Sequence, residues 1–118
     1  MLFRSPPPAS ELFEDIQVFK LLIVENDRIV REACQEAACT LGYRVHTTDS
    51  AEQAFWFAHT RGTDIVLLDW NLPAGGAREL LGKFKSRCIE CEVVALINNN
   101  EIESAVEAMR CEIGRAHV

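Results

Sequence analysis

The apolar positions of this chain fall in short continuous runs separated by amphipathic stretches. Leu21-Leu22-Ile23-Val24 ends in Glu25-Asn26-Asp27, and Ile65-Val66-Leu67-Leu68 ends in Asp69-Trp70-Asn71. Runs of this kind predict strands buried on both faces, as in a parallel sheet. We place strands at Phe19–Val24, Tyr43–Thr47, Ile65–Asp69 and Glu92–Ile97. Between the first two, Val30, Ala33, Cys34, Ala37 and Leu41 recur on one helical stripe. They predict a helix capped by Asp27 and ended by Gly42. Ser50-Ala51-Glu52-Gln53 has the form of a capping box and opens a second helix, to about Arg61 and stopped near Gly62. A third helix is expected from about Ala77 to Ser86, burying Leu80, Leu81 and Phe84, and a fourth over Glu101–Arg110. Strands alternating with helices imply βαβ crossovers and a sheet covered on both faces.

Both ends of the chain depart from this alternation. Ser5-Pro6-Pro7-Pro8-Ala9-Ser10 reads as an extended tether, since proline is excluded from helix interiors and central strands. Leu12, Phe13 and Ile16 have the spacing of one helical turn. Residues 1–18 are therefore taken as a flexible extension and 19–111 as the folded domain. The last stretch, Glu112 to Val118, interrupts an unfinished helix. Its final six residues can be encoded by ATC GGA AGA GCA CAC GTC, a string that resembles a short-read sequencing adapter. Residues 112–118 are read as a non-native tail and set aside from fold reasoning.

Composition narrows the function classes. With 118 residues and a hydrophobic fraction of 48%, the chain fits one globular domain. A net charge of −6 argues against unaided binding to a nucleic-acid backbone. No apolar stretch approaches the ~20 residues of a membrane span, and no apolar signal core follows the N-terminus. The five cysteines, an odd number, point to reduced thiols and a cytoplasmic protein. Cys88-Ile89-Glu90-Cys91 has half the spacing of a zinc site but lacks a second Cys/His pair, so it reads as a loop.

The chemistry is expected at the strand ends. In open α/β sheets, ligands bind outside the carboxyl ends of the strands. If the first and third strands are neighbours, the side chains of Glu25 and Asp69 and the backbone carbonyl of Asn71 converge. Hard oxygen donors of this kind suit Mg²⁺. Two carboxylates at close range repel, which raises a pKa unless a cation binds between them. Asp27 reads as a helix cap, Trp70 as a rim aromatic, and His46 and His59 as structural or surface groups. One of Phe55, Trp56 and Phe57 must point outward.

Three segments together carry a resemblance: Leu21-Leu22-Ile23-Val24-Glu25-Asn26-Asp27, Asp69-Trp70-Asn71-Leu72-Pro73 and Glu79-Leu80-Leu81. Over roughly Phe19 to Arg110 the chain resembles the receiver domain of bacterial two-component response regulators. The resemblance implies a doubly wound, flavodoxin-like parallel sheet of strand order 2-1-3-4-5, with the fifth strand and last helix missing here. It implies that Asp69 accepts a phosphoryl group from a sensor histidine kinase. It further implies that Glu25, Asn26, Asp69 and the backbone carbonyl of Asn71 hold Mg²⁺, and that the domain serves an output domain or transcription machinery. No enzymatic activity is implied beyond self-phosphorylation and autodephosphorylation. Ile102 to Met109 is similar to receivers of nitrogen-regulation-type activators.

Four departures bear on that reading. Asn26 stands where the family has aspartate, removing one negative ligand. The hydroxyl residue that ends the fourth strand, the switch position, falls on Ile97, or on Asn98 after a one-residue slip. The family's Asp-Gly after the Leu-Pro turn appears as Gly76-Ala77. The fifth strand and its phosphate-pairing lysine are not found. The alternative is a pseudo-receiver, an interaction module that works without phosphorylation. A flavin-binding protein of similar topology is disfavoured, because Glu25-Asn26-Asp27 would repel a phosphate where that fold needs a phosphate loop.

Overall fold

The structure, a computed structural model, describes residues 18–97 and the backbone of 115–117. The Asn98–Asn100 run, the helix expected over 101–110, the fifth cysteine at 111 and the apolar positions 12, 13 and 16 lie outside the described residues. The elements run β1 (Lys20–Val24), α1 (Arg28–Thr40), β2 (Arg44–Thr48), α2 (Ala51–Arg61), β3 (Ile65–Asp69), a 3₁₀ turn (Pro73–Gly75), α3 (Gly76–Ser86), β4 (Glu92–Leu96) and β5 (Arg115–His117). The sheet is parallel, with order β2-β1-β3-β4-β5.

Among the described residues no full-length fifth strand is found, and a short segment takes that place beside β4. Three residues of the segment set aside as a tail, Arg115–His117, pair in parallel with Val94–Leu96. The open N–H and C=O groups of an edge strand accept any short extended segment in reach, because pairing needs backbone geometry and no particular side chains.

Alternation along the strands divides the interior into two layers. Leu22, Val24, Val66, Leu68, Val93 and Ala95 face α2 and α3 and close on Ala54, Ala58, Leu80, Leu81 and Phe84. Leu22, Val24, Val66, Leu68 and Leu80 are fully buried there. Each such side chain contributes about 2 kcal/mol of transfer free energy. Leu21 and Ile23 face the other way, onto Ala38, Cys34, Tyr43, Val45, Ile65 and Leu67.

This second layer is thinner than the helical stripe led us to expect. Cys34 and Ala38 turn toward the sheet, while Ala33 and Ala37 are exposed and Leu41 is 76% exposed. The stripe of alanines and a cysteine does not fix the rotation of the helix. Packing against β1 and β2 fixes it instead.

The helix ends follow local chemistry. Asp27 caps α1 through Oδ1, which accepts from the Ile29 and Val30 amides at 2.8 and 3.2 Å. Ser50 Oγ accepts from the Gln53 amide at the start of α2. α3 ends in a Schellman motif, with the Ile89 amide donating to Phe84 O and the Cys88 amide to Lys85 O. Cys88 holds the left-handed position, at φ 52°, that this motif usually gives to glycine. Cys88 and Cys91 are both free thiols, and burial pushes the Cys91 thiol up to about 11.

Candidate functional site

The sheet register sets the site. Val24 lies opposite both Leu68 and Thr48, so Glu25 and Asp69 leave their strands at the same level. Asp69 is in turn the register partner of Leu96. Side chains from two separate strand ends therefore meet above the centre of the sheet.

The Glu25 and Asp69 carboxyl groups are in hydrogen-bond contact. Glu25 is only 5% exposed, whereas Asp69 is half-buried. Burial is the main force that pushes the Glu25 carboxyl from an ordinary 4.5 up to about 7. The Asp27 amide, which donates to Glu25 Oε1 at 3.1 Å, pulls the other way. The charge of Asp69, its hydrogen bond and the charge of Asp27 add to the upward push.

Asp69 is oriented by its own turn. Its Oδ1 accepts from the Asn71 amide at 2.9 Å, and its backbone carbonyl accepts from the Leu72 amide at 3.3 Å. The Asn71 backbone is thus tied to Asp69 through its N–H. Pro73 then enters the 3₁₀ turn, and left-handed backbone at Ala74 (φ 57°) and Gly75 (φ 68°) swings the chain into α3. The Gly76-Ala77 departure has a packing consequence. Ala77 is buried in the first turn of α3, and a Cβ on Gly76 would lie 3.3 Å from Leu72 Cβ and 3.4 Å from Ala51 Cβ.

The remaining site residues divide. Asn26 is exposed on the rim next to Glu25. Asp27 is occupied as the helix cap, as the sequence indicated. Ile97, one residue past the partner of Asp69, is buried among the apolar residues of the α2–α3 layer. Its side chain belongs to the core. The other candidate for the switch position, residue 98, lies outside the described residues. Trp70 corrects an expectation: it is buried with Leu72 in that same core, because alternation after Leu68 and Asp69 turns it inward. Trp56 is the outward member of its aromatic trio, at 58% exposure. His46 stacks on Phe57 at 3.9 Å, joining β2 to α2, and His59 stacks on Phe55.

Two contributors were not anticipated from sequence. The Arg31 guanidinium reaches back from the first turn of α1 and donates to the backbone carbonyls of Glu25, at 2.9 Å, and Asn26, at 3.4 Å. Thr48 is buried beside the site. Its carbonyl accepts from the Glu25 amide, and its hydroxyl donates to Gln53 Oε1. Arg31 sits four residues after the cap, a spacing that places it over the loop on the helix's own first turn.

The donor set has the chemistry of a weak site for a hard cation. The Glu25 and Asp69 carboxyl groups stand at close range, and a divalent ion would relieve their repulsion. Among the described residues no three His, Cys, Asp or Glu side chains group closely enough to hold a metal by themselves. Any cation there would have to draw on amide or backbone oxygens as well, such as those of Asn26 and Asn71. Among the described residues no helix is long and apolar enough to cross a membrane.

Comparison with known proteins agrees with this geometry. The family model for the response regulator receiver domain matches residues 21–115. The response regulator protein FleR of Pseudomonas aeruginosa is 33% identical over 91 residues, covering 77% of this chain and 19% of FleR. The regulatory protein AtoC of Escherichia coli is 27% identical over 92 residues, covering 78% of this chain and 20% of AtoC. The chain therefore spans about a fifth of the length of these curated relatives. Among solved structures, FixJ-N superposes with a TM-score of 0.78 at 23% identity, covering 86% of this chain and 81% of that one. NtrX from Brucella abortus in complex with ADP gives the same TM-score and identity, covering 86% of this chain and 23% of that one. The family match, the strand order and the paired acidic strand ends together place this chain in the response regulator receiver domain family of bacterial two-component systems.

Proposed function

We propose that the domain accepts a phosphoryl group on Asp69 from a sensor histidine kinase in the cytoplasm. The observation that carries this reading is the contact between the Glu25 and Asp69 carboxyl groups at the carboxyl edge of the sheet. Glu25, Asn26, Asp69 and the backbone carbonyl of Asn71 would hold Mg²⁺, which would supply charge neutralisation for the transferred group. The Asn71 amide fixes one oxygen of Asp69, which orients the carboxylate for in-line attack on phosphorus. A P–O bond forms on Asp69 as the P–N bond to the kinase imidazole breaks, and the imidazole leaves as the neutral ring after taking up a proton. The product is an acyl phosphate, and its state would be passed to an output domain or to transcription machinery. In this reading the domain is not an enzyme for any other substrate.

The test is incubation of the full chain with Mg²⁺ and acetyl phosphate, followed by mapping of the acyl phosphate by mass spectrometry. Label at Asp69 that disappears in Asp69→Asn supports the proposal. A folded protein that takes up no label overturns it.

A second reading, a pseudo-receiver that binds partners without phosphate, is favoured by one observation. The hydroxyl expected at the end of β4 is replaced by Ile97, whose side chain is sealed in the core. Absence of label in a folded chain is the outcome that selects this reading.

A further inference from the structure

We propose that a basic hollow at the amino-terminal ends of β1 and β2, at the far end of the sheet from Glu25 and Asp69, binds a small ligand that joins a phosphate to a planar ring, the chemistry of a nucleoside monophosphate. The hollow has a volume of about 310 Å³, and Lys20, Arg44, His46, Phe57, Arg61 and Gly62 are among the residues that line it. That volume lies at the lower end of the range of small-ligand sites.

Register and alternation bring these residues together. Lys20 opens β1 and Arg44 opens β2, and the two are register partners on adjacent parallel strands, as are Leu22 and His46. Leu22 faces the α2–α3 layer, so alternation turns Lys20, Arg44 and His46 to that same face. Helix α2 returns along this face and ends beside them in Arg61 and its cap Gly62. Phe57, one turn before Arg61, stacks on His46 with ring centroids 3.9 Å apart and an interplanar angle of 1°.

The charge of the hollow is one-sided. The whole chain carries 18 acidic against 12 basic residues, yet among the described residues no Asp or Glu lines this hollow. Among the described residues no ion pair engages the side chains of Lys20, Arg44 or Arg61. The neighbouring Asp64 carboxylate accepts from the Lys20 amide, at 2.8 Å. Arg61 by itself is explained by the carboxyl end of α2, where a cation is favoured. Lys20 and Arg44 have no such explanation, and like charges opposite one another on neighbouring strands repel. A phosphate dianion would relieve the repulsion among all three cations, and a guanidinium fork matches two of its oxygens. His46 is exposed and Phe57 half-buried, so the imidazole is the outer ring of the stack and presents its other face to a planar ligand.

Calorimetric titration of the full chain with adenosine monophosphate tests this, in EDTA so that no cation holds phosphate at Glu25 and Asp69. A Kd below about 1 mM is expected, with adenosine and inorganic phosphate each binding about ten-fold more weakly or less. Lys20→Gln, Arg44→Gln and His46→Ala should each weaken nucleotide binding about five-fold. Arg28→Gln, which removes an exposed cation elsewhere, should leave it unchanged. Amide chemical shifts of the unaltered chain give a reading that needs no variant: the nucleotide is expected to move Arg44 and Gly62 and to leave Asn71 in place. Absence of both heat and shifts overturns the proposal. Inorganic phosphate binding as tightly as the nucleotide overturns it too, since exposed cations alone would then account for the affinity, and so does adenosine binding as tightly. Shifts at Asn71 in place of Arg44 would put the nucleotide at the acidic site and overturn it equally. The titration contains neither Mg²⁺ nor a phosphodonor, so its failure and a failure to phosphorylate Asp69 are separate results.

Discussion

Glu25 and Asp69 end neighbouring parallel strands with their carboxyl groups in hydrogen-bond contact, and the buried one, Glu25, is held near pKa 7. Its raised value makes the folded state the better proton binder between about 4.5 and about 7. Stability contributed by this group is therefore fully present below its unfolded pKa and falls as pH rises through that window, levelling above it. Allowing for solvent screening, the loss amounts to roughly 2 kcal/mol. Urea unfolding at intervals from acid to pH 8 checks this. Glu25→Gln should flatten the profile in that window, and a Gln variant with the same slope as the parent would refute the assignment.

The identity of residue 26 should set cation affinity. Asn26→Asp restores a negative charge at the rim and is expected to tighten Mg²⁺ binding about ten-fold. Asp27→Ala should leave affinity within about two-fold while costing about 1 kcal/mol of stability, because Asp27 works as a cap. Fluorescence of Trp70 in a Trp56→Phe background follows the titration. A larger loss of affinity from Asp27→Ala than the gain from Asn26→Asp would reverse these roles.

Ile97→Thr trades core packing for a hydroxyl next to the site. Losing the buried Cδ1 methyl and placing a hydroxyl where the Cγ1 methylene stood should destabilise the fold by about 2 kcal/mol, read from the urea midpoint. The same variant should carry more acyl phosphate on Asp69 at steady state. A stable variant with unchanged labelling would show that the end of β4 has no part in phosphate chemistry.

Cys88→Gly should stabilise the protein by about 1 kcal/mol, since the left-handed residue after α3 carries a side chain where the motif favours none. Thermal unfolding gives the comparison. A lowered midpoint would mean that the Cys88 side chain makes a compensating contact.

The strands and caps were legible because they are local. Continuous apolar runs marked β1 and β3, and Asp27 and Ser50 announced their helices by side-chain chemistry alone. The convergence of Glu25 with Asp69 could be read from strand order and equal strand ends. What escaped the sequence depends on rotation and register. Trp70 reads as a rim residue until β3 fixes which face it takes. The stripe on α1 was misjudged because alanine and cysteine blur the phase of a helix. The parallel pairing of residues 115–117 with β4 rests on backbone groups, which leave no mark in side-chain pattern.

Arg31 has a further consequence. By clasping the carbonyls of Glu25 and Asn26 from behind, it holds the acidic loop in shape before anything arrives. A receptacle braced in this way surrenders little conformational freedom on filling, so an incoming ion would meet donors already set. Severing the brace while keeping every acidic residue would then loosen the seat through entropy alone.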